Sequence, residues 1–170
     1  MVNIEDKLLV SGFLLTHSET VFSRLYQKHT TPLFKMAVQL ANGNTHAAEE
    51  IVQETWIRAV AKLQGFTWQS SFKTWLTGIT INCAREYNRQ AQPTYNLETA
   101  EDETVQVDTT IKLDLQRALA MLPAGYREIL VLHDMQGFTH KEISQLLDIT
   151  EGTSKSQLFN ARKTLQKLLH

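Results

Sequence analysis

The side chains best suited to metal or nucleophile chemistry are six histidines, at 17, 29, 46, 133, 140 and 170, and one cysteine, Cys83. None of the histidines falls in a recognised metal-ligand spacing, Cys83 has no second thiol, and no glycine-rich loop is present to cradle a phosphate. His46 with Glu49 or Glu50 could hold a metal by chance, but a surface histidine is the simpler reading. The sequence therefore predicts a chain that is not an enzyme and carries no cofactor and no metal. Another kind of chemistry gathers near the C-terminus, in Thr153, Lys155, Ser156, Phe159, Asn160 and Lys163. Asparagine can pair with adenine through two hydrogen bonds, lysine and hydroxyl side chains hold phosphates or bases, and an apolar ring suits a thymine methyl. The alternative is a solvated helix face with Phe159 packed on a neighbouring helix.

These residues need a helix to align them. Thr150 can N-cap a helix from Glu151 to about Leu169. At about 100° per residue, Leu158, Ala161, Leu165, Leu168 and Leu169 gather on one side, with Ser154 and Arg162 on or beside that stripe. Gly152, Thr153, Ser156, Phe159, Asn160, Lys163 and Lys167 lie opposite, with Lys155 on the flank. Upstream, Thr139 and Glu142 have the spacing of a capping box, which predicts a short helix through Leu147. A short helix, the Asp148-Ile149-Thr150 connection and a longer helix make a helix-turn-helix unit, whose second helix enters the major groove. Before it, Leu113–Leu122 reads as helical up to Pro123, and Tyr126–His133 as a further helix closed near Gly137.

The first half of the chain is also helical in period. Val21, Phe22, Leu25 and Tyr26 begin one helix that continues through Leu33, Met36, Ala37 and Leu40. Asn42-Gly43-Asn44 is a turn. A second helix carries Ala48, Ile51, Val52, Thr55, Trp56, Ala59, Val60 and Leu63, and Gly65 ends it. After the loop from Phe66 to Ser71, a third helix carries Phe72, Trp75, Leu76, Ile79, Cys83 and Tyr87 on one stripe. Cys83 on that stripe is predicted to be a small buried hydrophobe.

Bulk properties bound the rest. No apolar run approaches the roughly 18 residues of a membrane span, and the N-terminus lacks a signal-peptide pattern, so a cytoplasmic protein without membrane insertion is expected. The net charge of -1 at first argues against nucleic acid. Its distribution argues otherwise. Residues 20–95 hold eight Lys/Arg against four Asp/Glu, residues 96–110 hold five acids and no base, and residues 111–170 hold eight Lys/Arg against six acids. Two mildly basic halves flank an acidic connector. DNA affinity scales with the phosphates neutralised, so each half would bind DNA poorly alone and needs a partner that supplies affinity. The predicted fold class is all-α: two small helical domains, residues 1–91 and 111–170, joined by an acidic flexible linker over 92–110 that opens near Pro93.

At these residues the chain resembles the extracytoplasmic-function (ECF) group of the sigma-70 family. In the C-terminal half the resemblance rests on Leu122-Pro123, Arg127, Glu142-Ile143, Gly152-Thr153-Ser154-Lys155-Ser156-Gln157-Leu158 and Ala161-Arg162. In the N-terminal half it rests on Ala48 to Glu54, Arg58-Ala59, Phe72-Lys73-Thr74-Trp75-Leu76, Ile79 and Asn82. The resemblance implies a region 2-like bundle that binds the RNA polymerase clamp and melts the -10 element. It implies a region 4-like helix-turn-helix that reads the -35 element and rests on the polymerase flap. Its partners would be core RNA polymerase and promoter DNA, with an anti-sigma factor as a further candidate, and the free chain would be a monomer.

Carried over by position, Glu50, Ile51, Gln53 and Glu54 would face the clamp, and Glu50, Gln53 and Glu54 share one helix face. Asn82 matches a position that contacts -10 bases, and the loop of Phe66 and Trp68 one that captures a flipped base, a step that aromatic contacts offset. Lys73, Arg85 and Arg89 are candidate phosphate contacts; for Phe66 and Trp68 the alternative is packing on the third helix. Four positions depart from the family pattern. Glu50 stands where Asp is usual, and Asp148 where Gly is frequent in the turn. Ser154 replaces a common Val on the inward stripe and is expected to loosen the helix start. Asn160 replaces a frequent basic residue, which points to altered -35 recognition. The rival readings are a stand-alone helix-turn-helix regulator, which leaves the first domain's motifs without a role, and a helical adaptor on polymerase.

Overall fold

A computed structural model describes residues 1–91 and 108–170, with side chains described for 1–91 and 113–170. The first domain is built from α1 (Ile4–Thr16), α2 (Glu19–Leu40), α3 (Thr45–Lys62) and α4 (Phe72–Gln90), with a short 3-10 turn, Leu63–Gly65, closing α3. The second holds α5 (Asp108–Met121), α6 (Ala124–Leu130), α7 (His140–Leu147) and α8 (Glu151–Leu168). A π-helical stretch, Val131–Met135, extends α6. Among the described residues there is no strand and no helix long and apolar enough to cross a membrane. α5 begins at Asp108, inside the span assigned from sequence to the linker; positions 92–107 of that assignment lie outside the described residues.

The helix boundaries follow local chemistry. Asn44 caps α3 by accepting from the amide of Ala47, and Ser71 caps α4 by accepting from Thr74. Asn42 and Gly43 both adopt positive φ, which makes the turn between α2 and α3. Thr139 and Glu142 form the predicted capping box on α7, and the Thr139 amide holds the Glu142 carboxyl below its usual range. Asp148 ends α7 in the left-handed conformation, φ 55°, where the family pattern favours glycine.

In the first domain α2, α3 and α4 bury Leu25, Met36, Ile51, Phe72, Leu76 and Ile81 between them. Cys83 lies in this core as expected, and burial raises its thiol pKa. Arg58 ties α3 to α4 through two hydrogen bonds to Glu86, 2.9 and 2.6 Å. α1 was not foreseen. It is fastened to α2 by Asp6, buried, whose Oδ1 lies 2.9 Å from both His29 Nε2 and Lys28 Nζ. In the second domain α6 and α8 pack around Ile129, Leu132, Leu158 and Ala161, and Ile143 of α7 closes that core. Leu168 and Leu169, placed on the inward stripe from sequence, are exposed.

The buried Arg127 explains the Leu-Pro-then-Arg pattern. Pro123 stops α5; the Leu119 carbonyl still accepts from the Leu122 amide at 3.2 Å, and the carbonyls after it lose the amides that a continued helix would supply. Arg127, one turn into α6, donates Nε to the carbonyl of Leu119 (3.0 Å) and Nη2 to those of Ala120 (3.2 Å) and Leu122 (2.8 Å). One guanidinium thus caps the helix before it.

Candidate functional site

α8 presents the predicted reading face. Its inward side buries Ser154, Leu158 and Ala161. Lys155, Ser156, Phe159, Asn160 and Lys163 are exposed, and Thr153 is half-buried. Ser156, Phe159, Asn160 and Lys163 follow one another at helical spacing and form a continuous outer stripe. Phe159 is 68% exposed and packs on no neighbouring helix, which removes the alternative in which its ring joins the core. Thr153 belongs to the helix start: its amide donates to Thr150 Oγ1 at 3.0 Å, and its hydroxyl pairs with the same oxygen at 2.8 Å. Ser156 Oγ donates back to the Thr153 carbonyl at 3.0 Å.

Ser154, the departure expected to loosen the helix start, is accommodated in the core. It is fully buried, and its hydroxyl lies 2.9 Å from His140 Nδ1, at the first turn of α7. A buried hydroxyl with a partner is satisfied rather than destabilising. The His140 ring stacks on His133, centroids 4.7 Å apart. Next to His133, Asp134 accepts from Arg162 Nε at 2.9 Å. This polar chain joins the π-helical stretch, α7 and α8 on the second helix's flank. Burial, then the neighbouring His133 charge, holds His140 below its usual pKa. Arg162, followed by His133, lowers the Asp134 carboxyl.

In the first domain Glu50 and Gln53 are exposed and Glu54 is half-exposed, with its carboxylate 2.6 Å from Arg58 Nε. Glu50 pairs with His46 at 3.1 Å. Ile51 is buried, so it supports that face from within and does not form part of it. The sequence reading missed a larger feature beside Gln53. A groove of about 660 Å³ runs between α2 and α3, walled by Phe22, Tyr26, Phe34, Trp56, Ile57 and Val60. Ile57 is 58% exposed, and Val60, counted as core from sequence, is also exposed. Trp56 donates its indole N–H to Thr30 Oγ1 at 3.0 Å, which fixes the ring against the groove wall. The signal lay in Ile57 and Val60, apolar residues on either side of the inward stripe.

The loop between the 3-10 turn and α4 carries Phe66 and Trp68. Phe66 is held between Trp68 and Trp75, with ring centroids 4.7 Å from each. Trp68 has φ 60°, a conformation bulky side chains seldom adopt and one found where a surrounding structure imposes it. Asn82 and Arg89 are exposed on α4. Lys73 and Arg85 are also on its surface, but each meets the second domain. Lys73 Nζ donates to the Gln136 carbonyl at 3.3 Å and sits 5.1 Å from the centre of the Phe138 ring. Arg85 grips Glu128 with two bonds, 2.8 and 2.7 Å, which raise the guanidinium pKa further.

Residues 25–94 match the family model described as Sigma-70 region 2, and residues 112–165 the one described as Sigma-70, region 4. The chain is similar to the ECF RNA polymerase sigma factor SigM of Mycobacterium tuberculosis, 32% identical over 153 residues that cover 87% of this chain and 76% of that protein. It is similar to the ECF RNA polymerase sigma factor SigE of Mycolicibacterium smegmatis, also 32% identical, covering 87% of this chain but 61% of the relative. It is similar to SigW of Bacillus subtilis, 30% identical with 75% and 78% covered. Among solved structures it resembles the sigma factor RpoE of Bartonella quintana, in complex with the anti-sigma factor NepR. That match has a TM-score of 0.68 at 28% identity and covers 87% of this chain and 96% of that one.

Proposed function

The chain belongs to the ECF group of sigma-70 factors, which direct transcription initiation, and from that premise we propose how its two domains divide the work. The first docks on the clamp of core RNA polymerase through the α2–α3 groove, flanked by Glu50, Gln53 and Glu54, and opens the -10 element along α4. The second reads the -35 element with the outer face of α8. The observation that carries this reading is the pairing, in one chain, of an open aromatic groove on one domain with an unpacked polar stripe centred on Phe159 on the other. A groove lined by Phe22, Tyr26, Trp56 and Ile57, with the one carboxylate of Glu49 in its wall, suits a basic amphipathic helix of a partner.

On α8, Asn160 offers a two-bond contact to adenine, Phe159 an apolar contact to a thymine methyl, and Lys155 and Lys163 reach phosphates. In the first domain Asn82 contacts -10 bases, Phe66 and Trp68 wall the site of a flipped base, and Lys73, Arg85 and Arg89 neutralise backbone charge. The chain performs no catalysis of its own; it acts in the cytoplasm, where polymerase is, and an anti-sigma factor is a fitting regulatory partner. The solved relative in complex with NepR supports that last point. The test is transcription by core polymerase with this chain on a library of genomic fragments, with transcript 5′ ends sequenced. Starts that share two upstream motifs at fixed spacing are expected. Starts scattered as they are with core enzyme alone would contradict the reading.

A further inference from the structure

We infer that His140 is a positioning residue for -35 recognition: through Ser154 it fixes the start of α8, and proton uptake at its ring releases that hold, so reading of the -35 element weakens in acid. The inference rests on the proposed reading of that element by α8. Two polar fastenings join α8 to the rest of the second domain. At its start the hydroxyl of Ser154, fully buried, lies 2.9 Å from His140 Nδ1 on the first turn of α7. About two turns on, Arg162 grips Asp134 with two bonds, 2.9 and 2.5 Å. Both fastenings end on one pair of rings. His140 stacks on His133, and His133 Nδ1 lies 2.7 Å from Asp134 Oδ1. Lys155, Ser156, Phe159 and Asn160 follow Ser154 on the same helix, so a shift at Ser154 moves the whole reading face.

The charges around His140 are mostly positive. α8 brings Lys155 and Arg162 against one carboxylate, Glu151, and the π-helical stretch brings His133. Asp134 is already engaged by Arg162 and His133. On α7 itself Lys141 is adjacent, and Glu142 is committed to the capping box. From α4 comes Lys73, held at the Gln136 carbonyl and the Phe138 ring. Burial first, and then His133, Lys155 and Arg162, hold the packed ring below the usual imidazole value against Glu151 alone. The packed ring thus takes a proton less readily than a free one, and acid favours the state in which the ring leaves its pocket. The hold is full above about pH 6.5 and is lost as pH falls through the packed value. The Ser154 hydroxyl has no other partner among the described residues, so once the ring leaves, the start of α8 yields to reach water.

The readout is discrimination: the ratio of holoenzyme affinities for a promoter and for the same promoter with its most sensitive -35 base pair changed. Partial unfolding lowers both affinities alike, and protonation of groups near phosphate raises both alike, so neither moves the ratio. From about pH 7.5 to about pH 5.5 the ratio is expected to fall about fivefold for the unsubstituted chain, a part of what one base pair carries. His140→Phe leaves the Ser154 hydroxyl alone and is expected to lower the ratio already at the neutral end. Adding Ser154→Val makes the pair apolar and is expected to restore the ratio and hold it constant across the range.

A ratio that ignores pH in the unsubstituted chain, an equal fall in the double variant, or a full neutral ratio with His140→Phe would each overturn the inference and leave the function standing. No preference for any -35 sequence would overturn the function as well. His133→Gln, at a half-buried position, gives a reading that leaves Ser154 and His140 in place. It removes the stacked charge and is expected to shrink the acid fall; an unchanged fall would count against the cluster.

Discussion

Replacing Arg127 with methionine keeps the volume of the side chain and removes its three hydrogen bonds to the end of α5. Hydrogen bonds to a charged group contribute about 1.5–3 kcal/mol each, and a buried acceptor left alone costs about 1–3 kcal/mol. The three bonds here share one guanidinium. That group also bears a burial cost, visible in a pKa held below the usual arginine value. The sum is therefore well under three full bonds, and a loss of about 3 kcal/mol is expected. For a domain of about 60 residues that lowers Tm by roughly 12–24 °C. Arg127→Lys is expected to recover only part, because an ammonium cannot span three carbonyls with a planar fork. The two domains need not unfold together, so amide hydrogen exchange in α5 and α6 is the right assay, read beside urea unfolding. A change below about 0.5 kcal/mol for Arg127→Met would refute the capping argument, since surface substitutions alone reach that size.

Ile57→Asp, at an exposed groove position, is expected to leave Tm within about 2 °C and weaken core polymerase binding tenfold or more, measured by fluorescence anisotropy of labelled chain; unchanged binding would remove the groove from the clamp interface. Phe159→Ala is expected to leave the fold intact and cost about 1–2 kcal/mol of promoter discrimination, seen as flattened preference at one -35 position in holoenzyme binding; equal loss on every sequence would mean no base contact. His140 has its folded pKa below the unfolded value near 6.5, so the unfolded chain takes up more protons between the two. Its contribution to stability is full above pH 6.5 and is lost as pH falls through the folded pKa. His140→Gln is expected to reduce the acid-side drop in urea midpoint of the second domain, and an identical pH profile in both forms would contradict this.

Local chemistry made much of the fold readable. The Thr139–Glu142 box, the Asn42-Gly43 turn and the stripe holding Cys83 are all short-range patterns, and each appears where the sequence placed it. α1 was missed although Val10 is buried in the core; its other buried residue, Asp6, reads as a surface residue until His29 and Lys28 arrive from α2. Leu168 and Leu169 were assigned inward by period alone, but period cannot tell which turns of a helix meet a partner. Ser154 looked like a defect because its partner, His140, lies on another helix. The outer stripe of α8 was legible because exposure follows from the inward stripe. The groove between α2 and α3 was not, since it takes two helices to make a wall. Nor could any local pattern show that Lys73 and Arg85, read as phosphate contacts, meet residues from the second domain.

On the proposed function, two weakly cationic domains become selective only when carried by polymerase. Duplex promoter binding at near-physiological salt, by the chain alone and by the reconstituted holoenzyme, tests it most directly. The chain alone is expected to bind no tighter than about 10⁻⁶ M and without sequence preference, whereas the holoenzyme protects and opens one promoter class. Tight, sequence-specific binding of that same duplex by the chain without polymerase would contradict the account.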